Sequence, residues 1–211
     1  MPIKTLERLQ GNSAWAIWKI SEELPALEEA LSLSTEDQAI LQGISHPQKK
    51  KEWLAGRLCI KALAEEMGIN YICLKKDEFG KPYLKNEEAE VSISNSYPHV
   101  AAIISQQHPV GIDLEQPKEK LRRIAHKFLN TAEREHAQDD LHKLCLYWCA
   151  KEALYKIYAK KKISFKENME LEPFEVHSAG KVIGKIKLDQ QQTSYPLQYY
   201  LNADFLVVFN T

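Results

Sequence analysis

Two acidic residues, Asp113 and Glu115, lie in the segment 110–117, which reads VGIDLEQP. If this segment is a strand, both carboxylates project from one face, because successive side chains of a strand alternate between faces. Neighbouring carboxylates repel each other unless a cation or water lies between them. Hard oxygen ligands of this kind suit Mg²⁺. The pattern therefore indicates a possible magnesium site, and an edge strand with a solvated acidic face is the alternative.

The segment 147–156, YWCAKEALYK, is the second candidate for chemistry. On a helix, Trp148, Glu152 and Lys156 share one stripe, because residues four apart are neighbours on the helix surface. The segment is apolar on nearly every side, which predicts a buried helix. A buried glutamate is costly unless it is paired or bound to a metal. Lys156 or a metal shared with the two strand carboxylates would supply that partner, and an ordinary Glu–Lys surface pair is the alternative.

Two further segments contain residue types that bind phosphate. Lys81 lies in the tight turn 79–82, and an alternating strand ends in the polar run Ser94-Asn95-Ser96. An ammonium group and hydroxyl groups can hold phosphate oxygens, but the same residue types also build ordinary solvated turns. Each segment by itself favours the ordinary turn.

The cysteines predict no metal site and no disulfide framework. Cys59, Cys73, Cys145 and Cys149 form no CxxC pair, and only the last two are close in sequence. Those two lie in an apolar segment, where cysteine usually packs as a small buried hydrophobe. A zinc site would need two more ligands at matching spacing, which the sequence does not offer.

Composition excludes several classes of protein. The 211 residues include 29 acidic and 28 basic side chains, for a formal net charge of −1. Proteins that bind nucleic acid usually carry a clear positive excess, so no nucleic acid is expected. No apolar run approaches the roughly 18 residues of a membrane span, and the N-terminus lacks the apolar core of a signal peptide. We expect a folded, cytoplasmic protein with no membrane contact, since four Trp, nine Tyr and six Phe exclude a disordered chain.

Periodicity and turn residues predict the elements that position these side chains. Pro47 suits a first helical turn and Gly68 a helix end, so a long helix is expected between them. The predicted helices span 34–44, 47–67, 120–129, 131–138 and 139–160, and Thr131 is the predicted N-cap of the fourth. The predicted strands span 71–74, 91–94, 101–105, 110–115, 174–177, 181–188, 198–201 and 205–209. Strands 101–105 and 110–115 are predicted to form an antiparallel pair.

The order of helices and strands predicts an α+β architecture with two halves of similar size, residues 1–106 and 107–211. Gly180 and Gly184 mark turns or places where a neighbouring chain comes close.

The motifs GKP, SxSxS, GxDxE and WxxKExxxK occur in this order between Lys49 and Lys162. Together they resemble the 4′-phosphopantetheinyl transferase superfamily, in its single-chain, surfactin-type branch. The resemblance implies a pseudo-dimer of two α+β halves with the active site at their interface. It also implies an enzyme that uses coenzyme A and Mg²⁺. Such an enzyme moves phosphopantetheine to a serine of an acyl, peptidyl or aryl carrier protein and releases adenosine 3′,5′-bisphosphate.

By the same resemblance, Asp113, Glu115 and Glu152 would bind Mg²⁺. Glu152 would also accept the proton of the carrier-protein serine, and Lys156 would stabilise the transferred phosphoryl group. Lys81 and Ser94 would hold coenzyme A phosphates. A run of three lysines, 160–162, is a candidate surface for an acidic carrier protein. A two-half fold that builds its own cleft favours a monomer.

One position departs from the family pattern. The family motif is usually SHS, with the histidine on the 3′-phosphate of coenzyme A, whereas this chain has Asn95 there. Asparagine donates a hydrogen bond but carries no charge, which weakens an expected contact to the 3′-phosphate. A relative that binds coenzyme A or a nucleotide without efficient transfer is therefore the alternative function, and an interaction module without a ligand is a further one.

Overall fold

The computed structural model describes residues 3–160 and 163–210. The chain divides into two compact units, Met1–Pro109 and Val110–Thr211, called here the N-terminal and C-terminal units. The predicted division into 1–106 and 107–211 lies three residues earlier.

The N-terminal unit has three helices and a six-stranded antiparallel sheet among its described residues. The helix α3 begins at Pro47 and ends before Gly68, whose φ of 69° is the left-handed conformation that glycine adopts at low cost. The strands run in the order β1-β2-β6-β5-β4-β3. The elements are β1 Ile3–Leu9, β2 Ser13–Lys19, α1 Leu24–Leu31, α2 Thr35–Gly43, α3 Pro47–Met67, β3 Leu74–Lys76, β4 Pro82–Leu84, β5 Glu90–Ser96 and β6 His99–Ser105.

The C-terminal unit also has three helices, packed with a five-stranded antiparallel sheet, within the described part of the chain. The strands run in the order β7-β11-β10-β9-β8. The elements are β7 Ile112–Glu115, α4 Lys120–Phe128, α5 Thr131–Ala137, α6 Leu141–Tyr158, β8 Met169–Leu171, β9 Ala179–Leu188, β10 Gln191–Leu201 and β11 Leu206–Asn210.

The two units repeat one connectivity. In each unit, the helices follow one strand, β2 or β7, and the last strand of the unit pairs with that strand. Thus β6 pairs with β2, and β11 pairs with β7. The strands in between follow in reverse order, β5-β4-β3 in one unit and β10-β9-β8 in the other. In each unit, a long helix, α3 or α6, packs on the sheet.

Each unit has its own apolar core. Leu54, Leu58 and Leu63 of α3 are buried with the apolar side chains of β2, β5 and β6. Leu146 and Leu154 of α6 are buried with side chains of the second sheet. These cores fix the two long helices, and α6 has the Glu152–Lys156 motif on its surface.

The α+β class is confirmed, and most predicted elements are present. The bounds of α3 are those predicted, and α2, α4, α5, α6, β5, β6, β7, β9, β10 and β11 lie at or near their predicted positions. Three strand predictions are corrected. The predicted strand 71–74 begins at Leu74 instead, and 174–177 is not a strand. Gly180 and Gly184 lie inside β9, and of the two alternatives predicted for them the close approach of a neighbour is confirmed.

The predicted antiparallel pair of strands 101–105 and 110–115 is the third and largest error. β6 pairs with β2 and β5, whereas β7 pairs with β11 in the other sheet. The residues between β6 and β7 are thus a connection between units and not a hairpin turn. Strands that are adjacent in sequence need not be adjacent in a sheet, because strand pairing depends on the whole topology.

Among the described residues, no helix is both long enough and apolar enough to cross a membrane.

Candidate active site

The strand β7 lies against the helix α6 with almost no space between them. A Cβ atom added at Gly111, just before β7, would lie 2.1 Å from the Ala153 carbonyl oxygen and 2.9 Å from Ile157 Cγ1. Only glycine allows this approach, because any other side chain would overlap the backbone of α6. The glycine of the GxDxE motif therefore sets the distance between its carboxylates and the helix.

Lys156 joins the helix to the strand. Its ammonium donates to the Ile112 carbonyl oxygen and to Asp113 Oδ1, both at 2.8 Å. The Lys156 side chain is 25% exposed, and that of Asp113 is 8% exposed. The predicted i,i+4 partner of Lys156 was Glu152, but its ion pair is with Asp113, which is distant in sequence and close in space.

Asp113 and Glu115 lie on one face of β7, as the strand alternation predicts, and Ile112 and Leu114 are buried. Glu115 accepts from the Lys120 ammonium at 2.7 Å and from the Gln116 backbone N–H at 2.9 Å. Both strand carboxylates are therefore paired with lysines.

Glu152 lies partly buried between these charges. Burial, and then the negative charges of Asp113 and Glu115, raise its pKa to about 7, although Lys156 acts in the opposite direction. The charges of Asp113, Glu115 and Lys156 therefore all act on the Glu152 carboxyl group. A carboxyl group with a pKa near neutral can accept and release a proton at physiological pH.

The other predicted ligand-binding residues lie in the N-terminal unit. The Lys81 ammonium pairs with Glu90, and its backbone N–H donates to Asp77 Oδ1 at 2.8 Å. Ser94 is buried, whereas Asn95 is exposed. Adjacent residues of a strand point to opposite faces, so Ser94 and Asn95 cannot contact a ligand from the same face of β5.

Asn95 contacts a buried acid. Its Nδ2 donates to Glu52 Oε2 at 3.3 Å. Glu52 is only 3% exposed and also accepts from Gln48 Nε2 at 2.9 Å and from the Lys49 ammonium at 2.6 Å. A carboxylate thus lies directly beside the position where the family pattern has a cationic side chain.

Residues 109–207 match the family model of the 4′-phosphopantetheinyl transferase superfamily. The resemblance to this superfamily is confirmed. A segment of 93 residues is also 32% identical to a protein of Haemophilus influenzae named "Putative 4'-phosphopantetheinyl transferase". That segment covers 39% of this chain and 39% of the relative, so the chain matches about two fifths of the relative's length. The surfactin-type branch stays a prediction.

The phosphopantetheinyl transferase family match includes every predicted metal and transfer residue, Asp113, Glu115, Glu152 and Lys156. It does not reach Lys81, Ser94 or Asn95, which the motif resemblance alone supports.

The donor chemistry of the three carboxylates fits a divalent cation such as the one this superfamily typically uses. Carboxylate oxygens are the ligands that Mg²⁺ prefers, and a cation would offset the burial and the carboxylate repulsion that together raise the pKa of Glu152. Among residues 3–160 and 163–210, no group of three or more His, Cys, Asp or Glu side chains is arranged as a metal site. Asp113 and Glu115 are instead directed at Lys156 and Lys120.

Sequence reasoning missed the residue that anchors α6. Lys151 has no exposed surface, and its ammonium donates to Glu133 Oε2 at 2.5 Å. It also donates to the carbonyl oxygens of Phe128, Phe165 and Met169 at 2.8, 3.0 and 2.9 Å. Lys151 therefore ties α6 to α5, to the end of α4 and to the chain around β8, one residue before Glu152.

The partner of Lys151 had a signal in the sequence. The N-cap of α5 is Asn130, not Thr131, because Asn130 accepts from the Glu133 backbone N–H at 2.9 Å. Glu133 in turn accepts from the Asn130 N–H at 3.0 Å, which completes a capping box. The Asn-x-x-Glu spacing indicates this box, and a second bond from the Leu171 N–H holds the other Glu133 oxygen.

The cysteines have the packing role that the sequence predicts. Cys59, Cys145 and Cys149 are buried and unpaired by disulfides, and Cys73 is partly buried. Two residues of the predicted lysine surface, Lys161 and Lys162, lie outside the described residues.

Proposed function

We propose that this protein transfers the 4′-phosphopantetheine group of coenzyme A to a serine of an acyl, peptidyl or aryl carrier protein. The single observation that carries the proposal is the contact between Lys156 and Asp113, which joins the two motif segments at 2.8 Å. The family match over the same residues supports it. The duplicated strand order supports the proposed pseudo-dimer. The interface active site, the monomeric state and the cytoplasmic location stay predictions.

In this reaction, Glu152 accepts the proton of the carrier serine. The serine oxygen then bonds to the phosphorus that carries the pantetheine arm, and the bond from that phosphorus to the bridging oxygen breaks. Adenosine 3′,5′-bisphosphate leaves with that oxygen and its electron pair. A base with a pKa near 7 suits the first step, because about half of it is ionised at neutral pH and it is basic enough to take a proton.

Lys156 places a positive charge beside the reacting group. Phosphoryl transfer depends mainly on positioning and on stabilising negative charge on the transferred group and the leaving oxygen. The bonds of Lys156 to Ile112 and Asp113 hold the ammonium in a fixed place on β7. Asp113, Glu115 and Glu152 are the residues that would hold Mg²⁺, which would supply further positive charge to the pyrophosphate.

The test is Glu152→Gln, which keeps the shape of the side chain and removes its basicity. We expect transfer to an apo carrier protein to fall by about 10²–10⁴-fold, the usual contribution of a general base. Mass spectrometry of the carrier protein, over a panel of carrier types, measures the phosphopantetheine-sized mass gain. Circular dichroism checks that the fold is intact.

Glu175→Gln is the matched control, because Glu175 is an exposed acid of the same unit. We expect it to retain wild-type transfer. Equal rates for the Glu152 variant and the wild type would remove Glu152 from the reaction, and no mass gain with wild-type protein would contradict the transferase proposal itself.

The contact between Asn95 and Glu52 favours a second candidate, a catalytically impaired or regulatory relative that binds coenzyme A or a nucleotide. Calorimetry separates the two. Magnesium-dependent binding of coenzyme A without transfer to any carrier protein would support the regulatory function.

A further inference from the structure

The Lys151 ammonium lies inside a closed group of oxygen atoms in the C-terminal unit. The residue has no exposed surface, and its ammonium contacts one carboxylate oxygen and three backbone carbonyl oxygens within 3.0 Å. An ammonium group has three N–H donors, so these acceptors satisfy it completely. The four oxygens, called here the Lys151 cage, belong to Phe128, Glu133, Phe165 and Met169.

The cage joins α6 to segments that precede it and to segments that follow it. Phe128 ends α4 and Glu133 lies in α5, whereas Phe165 and Met169 come after α6. The four partners lie between 14 and 23 residues from Lys151 in sequence. One side chain therefore fixes the position of α6 relative to the chain on both sides of it.

A buried charge is a costly way to pack a helix. Replacing a buried ion pair by apolar side chains of similar volume is often neutral or stabilising, because the pair loses its hydration. The other inward side chains of α6, such as Leu146 and Leu154, are apolar. What an apolar side chain cannot supply is direction, since hydrogen bonds to fixed carbonyl oxygens are directional and apolar contacts are not.

The cage also places an aromatic ring beside Glu152. Phe165, whose carbonyl oxygen belongs to the cage, packs its ring against Trp148 and Tyr155, with ring centroids 5.8 and 5.6 Å away. Trp148 lies four residues before Glu152 and Tyr155 three residues after it, so all three share one face of α6. Lys151 therefore holds the segment that packs along the face of α6 with Glu152.

The rotation of α6 also determines the contact between Lys156 and β7. The Lys156 ammonium lies 2.8 Å from the Ile112 carbonyl oxygen and 2.8 Å from Asp113 Oδ1. A small rotation of α6 about its axis would move the ammonium away from both oxygens. The arrangement of the candidate site thus depends on the direction that the cage fixes.

We infer that Lys151 is a positioning residue for the transfer reaction, because its cage fixes the direction in which α6 presents Glu152 and Lys156 to β7. The inference rests on the proposed function and adds to it a residue that touches no reacting atom. Misplacement of a reacting group by about 1 Å can lower a rate by about 10²-fold. Loss of the cage therefore lowers kcat and leaves KM nearly unchanged, since no contact with a substrate is removed.

The test is the double variant Lys151→Met/Glu133→Gln, measured as the full chain with Mg²⁺, coenzyme A and an apo carrier protein. The glutamine removes the carboxylate charge that Lys151→Met alone would leave buried without a cation. We expect the urea midpoint to recover relative to Lys151→Met. We expect kcat to stay about 10²-fold below wild type, with KM within about threefold. A kcat that recovers together with stability would show a purely structural role and overturn the inference.

Lys151→Gln/Glu133→Gln keeps the test decisive if the methionine variant does not fold. Its amide still donates within the cage, but it is shorter than lysine and reaches fewer oxygens. We expect a folded protein whose kcat is reduced by about tenfold or more. A kcat equal to that of the wild type would contradict the positioning role.

Glu133→Gln alone is the matched single variant. It removes the carboxylate charge but leaves the three carbonyl oxygens, at 2.8, 2.9 and 3.0 Å, for the three N–H donors of Lys151. We expect lower stability and a kcat within about threefold of the wild type. A kcat as low as that of the double variant would assign the effect to the ion pair and contradict the inference.

Lys143→Met is the control on the same helix. Lys143 donates to the His136 carbonyl oxygen at 3.4 Å and lies 3.8 Å from Glu175, so it holds none of the cage segments. We expect it to retain the wild-type kcat. A fall as large as that of the double variant would assign the effect to any change in α6 and overturn the inference.

Nuclear magnetic resonance of the lysine ammonium groups gives a measurement that does not depend on transfer. Two oxygens hold the Lys156 ammonium, so we expect a slowly exchanging Nζ–H signal, which Lys156→Met assigns. This signal should persist in Glu133→Gln and disappear in the double variant. An unchanged signal in the double variant would overturn the inference. If the wild type transfers to no carrier protein, the proposed function fails, and this comparison still decides the role of Lys151.

Discussion

In the C-terminal unit the charges of Asp113 and Glu115 both act on Glu152 near the contact between α6 and β7, whereas three carboxylates of the N-terminal unit each have a nearby cation. Asp37 has Arg57, Glu52 has Lys49, and Glu90 has Lys81. The C-terminal cluster therefore holds an excess negative charge, which is one cause of the raised pKa of Glu152. The same connectivity therefore supports a different local balance of charge in each unit.

The units also differ in how they anchor their long helices. Lys151 of α6 is fully buried and has four oxygen partners, including Glu133 at 2.5 Å. Arg57 of α3 lies 3.6 Å from Asp37 and stacks on Trp53, with its Cζ 3.4 Å from the ring centroid. An ion pair enclosed by carbonyl oxygens is more costly to break than a stacked guanidinium, because the group left behind has no access to water.

Lys151→Met is expected to have the largest effect on stability. It leaves Glu133 as a buried charge without a cation, and breaking a buried pair in this way costs about 3–5 kcal/mol. Urea denaturation followed by circular dichroism measures the free energy of unfolding.

Arg57→Met is the matched comparison, and about 1–2 kcal/mol is expected, since it removes a cation–π contact and a long ion pair. Asp37 keeps its hydrogen bond from the Ser34 hydroxyl at 2.8 Å. If Arg57→Met costs as much as Lys151→Met, the proposed difference between the two anchors is wrong.

Gly111→Ala is expected to cost about 1–3 kcal/mol, the range for overpacking, because the added Cβ overlaps the backbone of α6. It should also lower transfer activity by separating Asp113 from Lys156. Thermal unfolding and the carrier-protein assay measure the two effects.

Gly43→Ala is the control, since a Cβ there meets nothing within 4 Å. We expect it to retain stability and activity. Full stability of Gly111→Ala would show that β7 does not need its close approach to α6.

The titration of Glu152 is the smallest expected effect, about 1–2 kcal/mol after solvent screening is allowed for. Its folded pKa of about 7 lies above the ordinary glutamate value, so the folded state binds a proton that the unfolded state has lost. Its contribution to stability is therefore fully present below about pH 4 and is lost as the pH rises through 7.

Unfolding free energies of wild type and Glu152→Gln, measured with a chelator between pH 4 and 8, check this sign. We expect the wild type to lose stability relative to the variant as the pH rises. A difference that is constant, or that grows in favour of the wild type, would mean that the carboxylates do not form a cluster with excess negative charge.

Local signals in the sequence predicted much of the structure. The bounds of α3 followed from Pro47 and Gly68, because a proline without an N–H and a glycine with positive φ act within one turn. The alternation of side chains along a strand predicted that Asp113 and Glu115 lie on one face of β7. The GxDxE and KExxxK motifs predicted the resemblance that the family match confirms, and the roles of their residues stay predictions.

Long-range contacts could not be predicted in the same way. The pairing of β7 with β11, which lies over 90 residues further along, depends on the path of the whole unit. The partner of Lys156 is 43 residues away, as is the partner of Asn95. Strand β8 was missed because three residues are too few for a periodic pattern.

The amino-acid sequence by itself determined which side chains are acidic, basic or small, and where helices begin and end, because these depend on neighbours within a few positions. Only the tertiary structure decided which charges face each other: Asp113 with Lys156, Glu133 with Lys151, and Glu52 with Asn95. The physical reason is that the strength of an electrostatic interaction depends on burial and on the distance in space between the charged groups, not on their separation in sequence.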